Sequence, residues 1–376
     1  MKSNKFFPLL VVLVVSSCLI ACSSDDPEND NSNDNFDRGL MLMNWADNII
    51  IPSFQNFSAE TNALKVASDD FIAETTLENL NTLRQEWEEA YLSFQTVALY
   101  EIGPAQNVEL RSFLNTYPTN VSSIDSFIES QNYNLADINF NDAQGFPALD
   151  YLLYGIADND ADILDLFDND FNGDKYRQYL SDLVNRIDNL ANQVLEGWQN
   201  GYRDIFVQNS GSSVNSSTNR MANLFMEFYE VRLRNGKIGF PAGVFSGGNP
   251  EPSNVEALYR GDLSKSLCLE ALNAHQDFFN GKATNTNTNG ESFASYLDFL
   301  NTIKEGEDLT TLINDQYATT TNVINMLNDN FYEQINTNNT QMLEAFESLQ
   351  DNVIYLKSDM FSALSIDLDF NSGDSD

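Results

Sequence analysis

The chain has 376 residues, of which 56 are acidic and 19 basic, and its formal net charge is −37 at neutral pH. Such a surface repels nucleic acid phosphates, and no basic stripe compensates, which excludes nucleic acid as a partner. A single histidine, His275, also excludes any site that needs two or three imidazoles.

Lys2 and Lys5 precede an apolar run over residues 6–15. A basic head, a short apolar core and a small-residue region mark a secretory leader. The run is too short to be a stable bilayer span. Leu19-Ile20-Ala21-Cys22 resembles the bacterial lipobox, so residues 1–21 are expected to be removed and Cys22 acylated, making the lipid bilayer a partner. Residues 23–35 contain only Ser, Asp, Asn, Glu and Pro27, which predicts a disordered acidic tether over 22–35. Ser23-Ser24-Asp25-Asp26 is similar to the acidic export signal of surface-exposed lipoproteins. The expected location is the outer membrane, at the cell surface or on the periplasmic face. With Cys18 cleaved and Cys22 acylated, Cys268 is the remaining thiol, and no intramolecular disulfide is expected.

Beyond the tether, residues 45–71 (interrupted at Pro52), 77–100, 175–206, 217–235, 263–279, 307–327 and 341–364 carry apolar side chains at three- and four-residue spacing. That period predicts helices. Within 77–100, Leu80, Leu83, Trp87, Tyr91 and Phe94 form an apolar face, and Arg84, Glu86 and Glu89 fall on the opposite one. No run of strict alternation argues for a sheet. The fold class is all-α, read as two helical bundles that divide near 208–216.

Two glycine-bearing segments break the helical pattern. Gly145-Phe146-Pro147-Ala148-Leu149-Asp150 precedes Tyr151-Leu152-Leu153-Tyr154-Gly155, and Gly239-Phe240-Pro241-Ala242-Gly243 repeats its first four residues. Each places a proline at the opening of a helix or turn, where its missing N–H costs little. The repeat is either chance or the trace of an internal duplication in which each half supplies one lip of a shared cleft.

Trp45-Ala46-Asp47-Asn48-Ile49-Ile50-Ile51-Pro52 echoes the aromatic-Ala-Asp-x-Ile-x-x-Pro of the imelysin family, also known as insulin-cleaving membrane peptidases. The segment from Trp87 to Gly103-Pro104 resembles that family's tryptophan-bearing helix, and 145–155 sits where the family carries Gly-x-His-x-x-Glu followed by Tyr-Leu-Leu-x-Gly. Glu256-Ala257-Leu258-Tyr259-Arg260-Gly261-Asp262-Leu263 and the stretch from Leu356-Lys357-Ser358-Asp359-Met360 to Asp367 resemble its later segments. The resemblance implies two related four-helix-bundle-like domains, 36–210 and 211–376, with a functional site between them.

The chain also departs from that family. Gly-x-His-x-x-Glu puts an imidazole and a carboxylate one helical turn apart, a spacing used by metal sites in bundles. Here Gly145 is kept, but the His position is Pro147 and the Glu position is Asp150. Proline has no donor atom, and His275 lies on another helix, where it is expected to be partly exposed. Zinc chemistry is therefore disfavoured. Hard cations such as iron or calcium accept carboxylate oxygens, which Asp150, Glu86, Glu88 and Glu89 supply. Asp168-Asn169-Asp170-Phe171-Asn172-Gly173-Asp174 resembles the front half of a calcium loop, but position twelve is Tyr179, and a plain turn is the simpler reading. Asp367, Asp369, Asn371 and Gly373 are similar.

Positive charge is scarce, so its clustering is informative. Arg232, Arg234 and Lys237 lead into Gly239, and Arg260 follows. Together with Asp150, Arg234, Lys237, Gly239 and Arg260 are candidate lining residues of a cleft that accepts an anionic group. Two functions follow. One is a non-catalytic envelope lipoprotein that binds a small ligand, metal ion or envelope protein in an interdomain cleft, in iron or nutrient uptake. The alternative is an imelysin-type metallopeptidase, or another hydrolase, with an altered metal centre.

Overall fold

The computed structural model describes residues 35–169 and 171–369. Cys22, the leader and nearly all of the tether lie outside them, as do Asp170, Asn371 and Gly373. None of the described helices is long and apolar enough to cross a membrane.

The predicted runs become helix, with differences at their ends: Glu307–Asp308 is a strand, the helix from Leu77 ends at Val97, and the last run begins at Phe331 rather than at 341. Residues 38–73 form one rod in three stretches: an α-helix Arg38–Asn44, a π-helical stretch Trp45–Ile50 and an α-helix Ile51–Ala73. Pro52 therefore does not interrupt the helix. It falls in the first turn of the last stretch, behind a wide π turn that absorbs its missing N–H. Helices Leu77–Val97 and Gly173–Gly197 pack along Ile51–Ala73 and form the core of the first half. In the second half, helices Ser264–Phe279, Leu309–Asn325 and Phe331–Val353 pack around the π-helical stretch Phe228–Gly239.

The polar loops act as helix starts. The side chains of Thr76, Asn159, Ser216, Asp308 and Asn330 each accept a hydrogen bond from a main-chain N–H in the first turn of the helix that follows. The sheet content of the described residues is one hairpin, Ile303–Lys304 against Glu307–Asp308. Its turn holds Glu305 at φ 56° and Gly306 at φ 90°, the twist that a tight hairpin requires.

Buried residues of the two halves form one cluster. Trp45 packs 4.8 Å from Phe278 and 4.8 Å from Phe293, and Tyr100 lies 5.5 Å from Phe278. Aromatic packing therefore crosses the 208–216 loop. Leu80, Leu83, Trp87, Tyr91 and Phe94 are all buried, as their spacing predicts. Arg84 is not on the solvated face assigned to it. It is buried beside Tyr154, 4.6 Å above the ring, where it donates to the Leu153 carbonyl and to Asp160. A guanidinium tolerates this position because those acceptors meet its planar donors.

Candidate functional site

The first glycine segment opens a short helix, Gly145–Asp150, which runs into the π-helical stretch Tyr151–Gly155. Gly145 is required there. Its φ is +75°, and a Cβ would lie 2.3 Å from the Leu114 carbonyl oxygen. Phe146 stacks on Tyr91 with ring centroids 4.6 Å apart, and Trp87 Nε1 donates to the Phe146 carbonyl. Pro147 is buried and offers no ligand atom. Asp150 is 2% exposed, and both its oxygens accept main-chain N–H groups of the second half, Oδ2 from Tyr259 at 2.9 Å and Oδ1 from Arg260 at 2.8 Å. Burial pushes its carboxyl up to about 7, against the lowering effect of those bonds and of Arg260. Asp150 thus clips the two halves together.

The four cleft candidates do not share one wall. Arg260 turns towards Glu88 and Asp262, with Tyr154 donating to the same Glu88. Arg234 is buried, 3.7 Å from Glu230 and 4.8 Å above the Phe346 ring, and Lys357 pairs with the same Glu230. Gly239 packs against Phe245 and Phe346. Lys237 is 4% exposed and donates to Gln95 Oε1 at 2.9 Å and to Glu256.

Glu256 is the centre of this region. It is 2% exposed and accepts from Lys237, Tyr91, Gln95 and Asn115, so donors from both halves converge on one carboxylate. A buried carboxylate is tolerated when it is paired and hydrogen-bonded in this way.

Beside this network lies a cavity of about 370 Å³, lined by parts of 94–118 and 228–254. Of the sequence candidates, Lys237 lines it, with Phe240 next to Gly239. The other charged lining residues are Glu101, Arg111 and Arg232. Glu227 joins the two arginines, accepting from Arg111 Nη1 at 2.9 Å and from Arg232 Nε at 2.8 Å. Burial pushes the Glu101 carboxyl up to about 7, opposed by Arg111 and Arg232 and reinforced by Glu227. Phe94, Phe228 and Phe240 supply the apolar surface.

His275 is not partly exposed, as its sequence position suggested; it is fully buried. Nδ1 lies 2.7 Å from the Tyr317 hydroxyl, Nε2 lies 2.9 Å from the Phe225 carbonyl, and the ring stacks on Phe225 at 3.7 Å. Burial lowers its pKa to about 3, so it is a neutral core residue with both nitrogens engaged. Cys268 is also buried, and its thiol is pushed up to about 12, which makes it a poor nucleophile.

The residues do not fit a hydrolytic zinc centre. Pro147 has no donor, both oxygens of Asp150 hold main-chain N–H groups, and His275 is enclosed elsewhere. Glu86 and Glu89 come together with Glu60, their ligand atoms within 4.8 Å of one another, whereas Glu88 turns to Arg260. That triad is a hard-oxygen set suited to iron or calcium, on a partly exposed face where acidic groups commonly lie without an ion. In the calcium-like segment, Asn169 caps its own turn by accepting from the Phe171 N–H, and Asp174 pairs with Arg177. Near the other end, the main chain of Asp367 and Asp369 is bonded to the Asn223 amide.

Fold and site together define an all-helical protein with an internal cavity between distant chain segments. The imelysin family profile matches residues 50–360, and the chain belongs to that family. Among solved structures it is similar to a protein of Parabacteroides distasonis ATCC 8503 named as an iron-regulated protein A precursor. That match has a TM-score of 0.71 at 15% identity and covers 87% of this chain and 95% of that one. It is also similar to an imelysin-like protein of Psychrobacter arcticum 273-4, with a TM-score of 0.68 at 14% identity, covering 89% of this chain and 97% of the other. Among curated proteins, none matches by sequence.

Proposed function

We propose that this protein is a non-catalytic member of the imelysin family that binds a ligand in the cavity between 94–118 and 228–254, and serves iron or nutrient uptake. In this reading residues 36–210 and 211–376 are two related helical domains, each supplying one wall. The chain is held to the outer membrane by lipid on Cys22, as the leader and lipobox suggest. The observation that carries the reading is Asp150. The carboxylate at the family's Glu position is enclosed and bonded to two main-chain N–H groups, and it is not among the residues that line the cavity. The solved neighbour named as iron-regulated supports the link to iron.

The test is plasma mass spectrometry on the purified protein equilibrated with iron, zinc and calcium, with insulin cleavage assayed on the same samples. Absence of cleavage under every metal is the expected result. Zinc-dependent cleavage abolished by Asp150→Ala would overturn the reading in favour of the metallopeptidase alternative. Stoichiometric iron without cleavage would narrow the ligand to iron itself.

A further inference from the structure

The cavity's hydrogen-bonding groups are unevenly filled. Among its lining acceptors, Gln95 Oε1 takes Lys237, Asn115 Oδ1 takes the Tyr91 hydroxyl and Glu101 Oε2 takes the Arg111 main-chain N–H. Three lining side chains keep spare donors. Among the described residues, Nη2 of Arg111, both terminal nitrogens of Arg232 and the Tyr117 hydroxyl have no hydrogen-bond partner. Spare guanidinium donors favour a ligand that brings acceptors.

Charge points the same way. Arg111, Arg232 and Lys237 face the carboxylates of Glu101, Glu227 and Glu256, so the cluster is balanced when Glu101 is charged and carries a positive excess when Glu101 is protonated. Glu227 holds one guanidinium on each oxygen and so fixes both cations before a ligand arrives. Such planar, pre-placed donors favour a carboxylate over a spherical ion. Phe94, Phe228 and Phe240 bring aromatic surface to the wall, beside Ala98, Pro118 and Val231. Arg232, Phe240 and Pro118 are exposed lining residues, so the cavity opens past them.

We propose that the cavity takes a small organic carboxylate, its charged end on Arg111 and Arg232 and its ring-sized apolar body between Phe94, Phe228 and Phe240. This rests on the ligand-binding reading above and names the ligand class. Binding is linked to pH through Glu101, which faces Arg111 on the 110–114 helix, Glu227 at the end of Ser217–Glu227 and Arg232 on Phe228–Gly239. Its carboxyl titrates near 7. Below that pH it is neutral and does not oppose an anion; above it, its charge returns and does.

The experiment is titration calorimetry on the purified full chain with three probes that share an indole body: indole-3-acetate, its neutral isostere indole-3-acetamide and the cationic tryptamine. The carboxylate should bind at least about tenfold more tightly than the amide, and tryptamine should not bind, as expected for charge-assisted pairing with arginine. Arg232→Gln and Arg111→Gln should each weaken indole-3-acetate by about tenfold. Arg232 is exposed, so its variant tests the site without threatening the fold, and thermal melts followed by circular dichroism check both variants. Affinity should fall between pH 6 and pH 8, and Glu101→Gln should flatten that profile. Amide or tryptamine binding as tightly as the carboxylate would overturn the ligand class and leave the binding reading standing. Indole-3-acetate binding that both arginine variants leave unchanged would overturn the placement. No binding of any probe at millimolar concentration would overturn the class and the reading together.

Discussion

At residues 145–148 Gly-Phe-Pro-Ala opens a buried helix, whereas at 239–242 the same four residues close a π-helical stretch beside the cavity. In the first copy Gly145 is forced by a left-handed backbone and by the Leu114 carbonyl, and Phe146 is enclosed against Tyr91. In the second, Gly239 meets only the side chains of Phe245 and Phe346, and Phe240 is 44% exposed. The difference follows from the neighbours. Asp150 closes the first copy by taking two main-chain N–H groups across the halves. The second follows Arg232 and Lys237, whose charges line the cavity. A shared tetrapeptide therefore sits in two different settings, one closed inside the core and one at the rim of a cavity.

Four measurements would break or sharpen that contrast. The largest effect is expected at Glu256, where the two regions meet. Glu256→Ala leaves the buried Lys237 ammonium unpaired and should remove about 3–5 kcal/mol from the free energy of urea unfolding. A loss below about 1 kcal/mol would show that the network does not hold the halves.

Next come the two glycines. Gly145→Ala should lose about 2–4 kcal/mol from a left-handed backbone and a clash with main chain. Gly239→Ala should lose less, because the rings it meets can shift. Equal losses would mean that the two copies are structurally equivalent.

The third concerns pH. The Asp150 carboxyl is raised to about 7 in the folded state, above its ordinary value of 3.8. The folded state therefore binds this proton more tightly. Its contribution to stability is complete below pH 3.8 and is lost as the pH rises through 7. Wild type should lose melting temperature relative to Asp150→Asn between pH 4 and pH 7. Parallel curves would show that the carboxylate is as well solvated in the fold as outside it. The smallest effect is expected at Phe240. Phe240→Ala should cost about 1–2 kcal/mol, less than a core phenylalanine, because 44% of the residue stays in water, while still weakening any ligand held in the cavity. A loss comparable to that of a core phenylalanine would place it with Phe146.

Much of this was legible before any coordinates. The helices follow from three- and four-residue apolar spacing, although the start of Phe331–Val353 at Asn330, well ahead of the run expected from 341, was not read from it. The family followed from short motifs in order, and Lys237 from the scarcity of positive charge. Glu256 was quoted in a family-like segment but could not be singled out, being one acid among 56. Glu101 lay inside the family-like segment from Trp87 to Gly103 with nothing to single it out, and Arg111 lay in no motif or periodic run. Arg84 and His275 were misplaced because helical spacing reports which face a residue is on. It does not report whether a neighbouring helix covers that face with acceptors.

The sequence by itself determined the all-helical class, the family and the loss of the nitrogen ligand at Pro147, because each of these is written in local spacing or in one residue's chemistry. Only the tertiary structure decided that Asp150 is a clip, that Glu256 is a hub and that a cavity lies between 94–118 and 228–254. Those features arise where segments more than a hundred residues apart are brought within hydrogen-bonding distance, and nothing in the local pattern of either segment encodes the other.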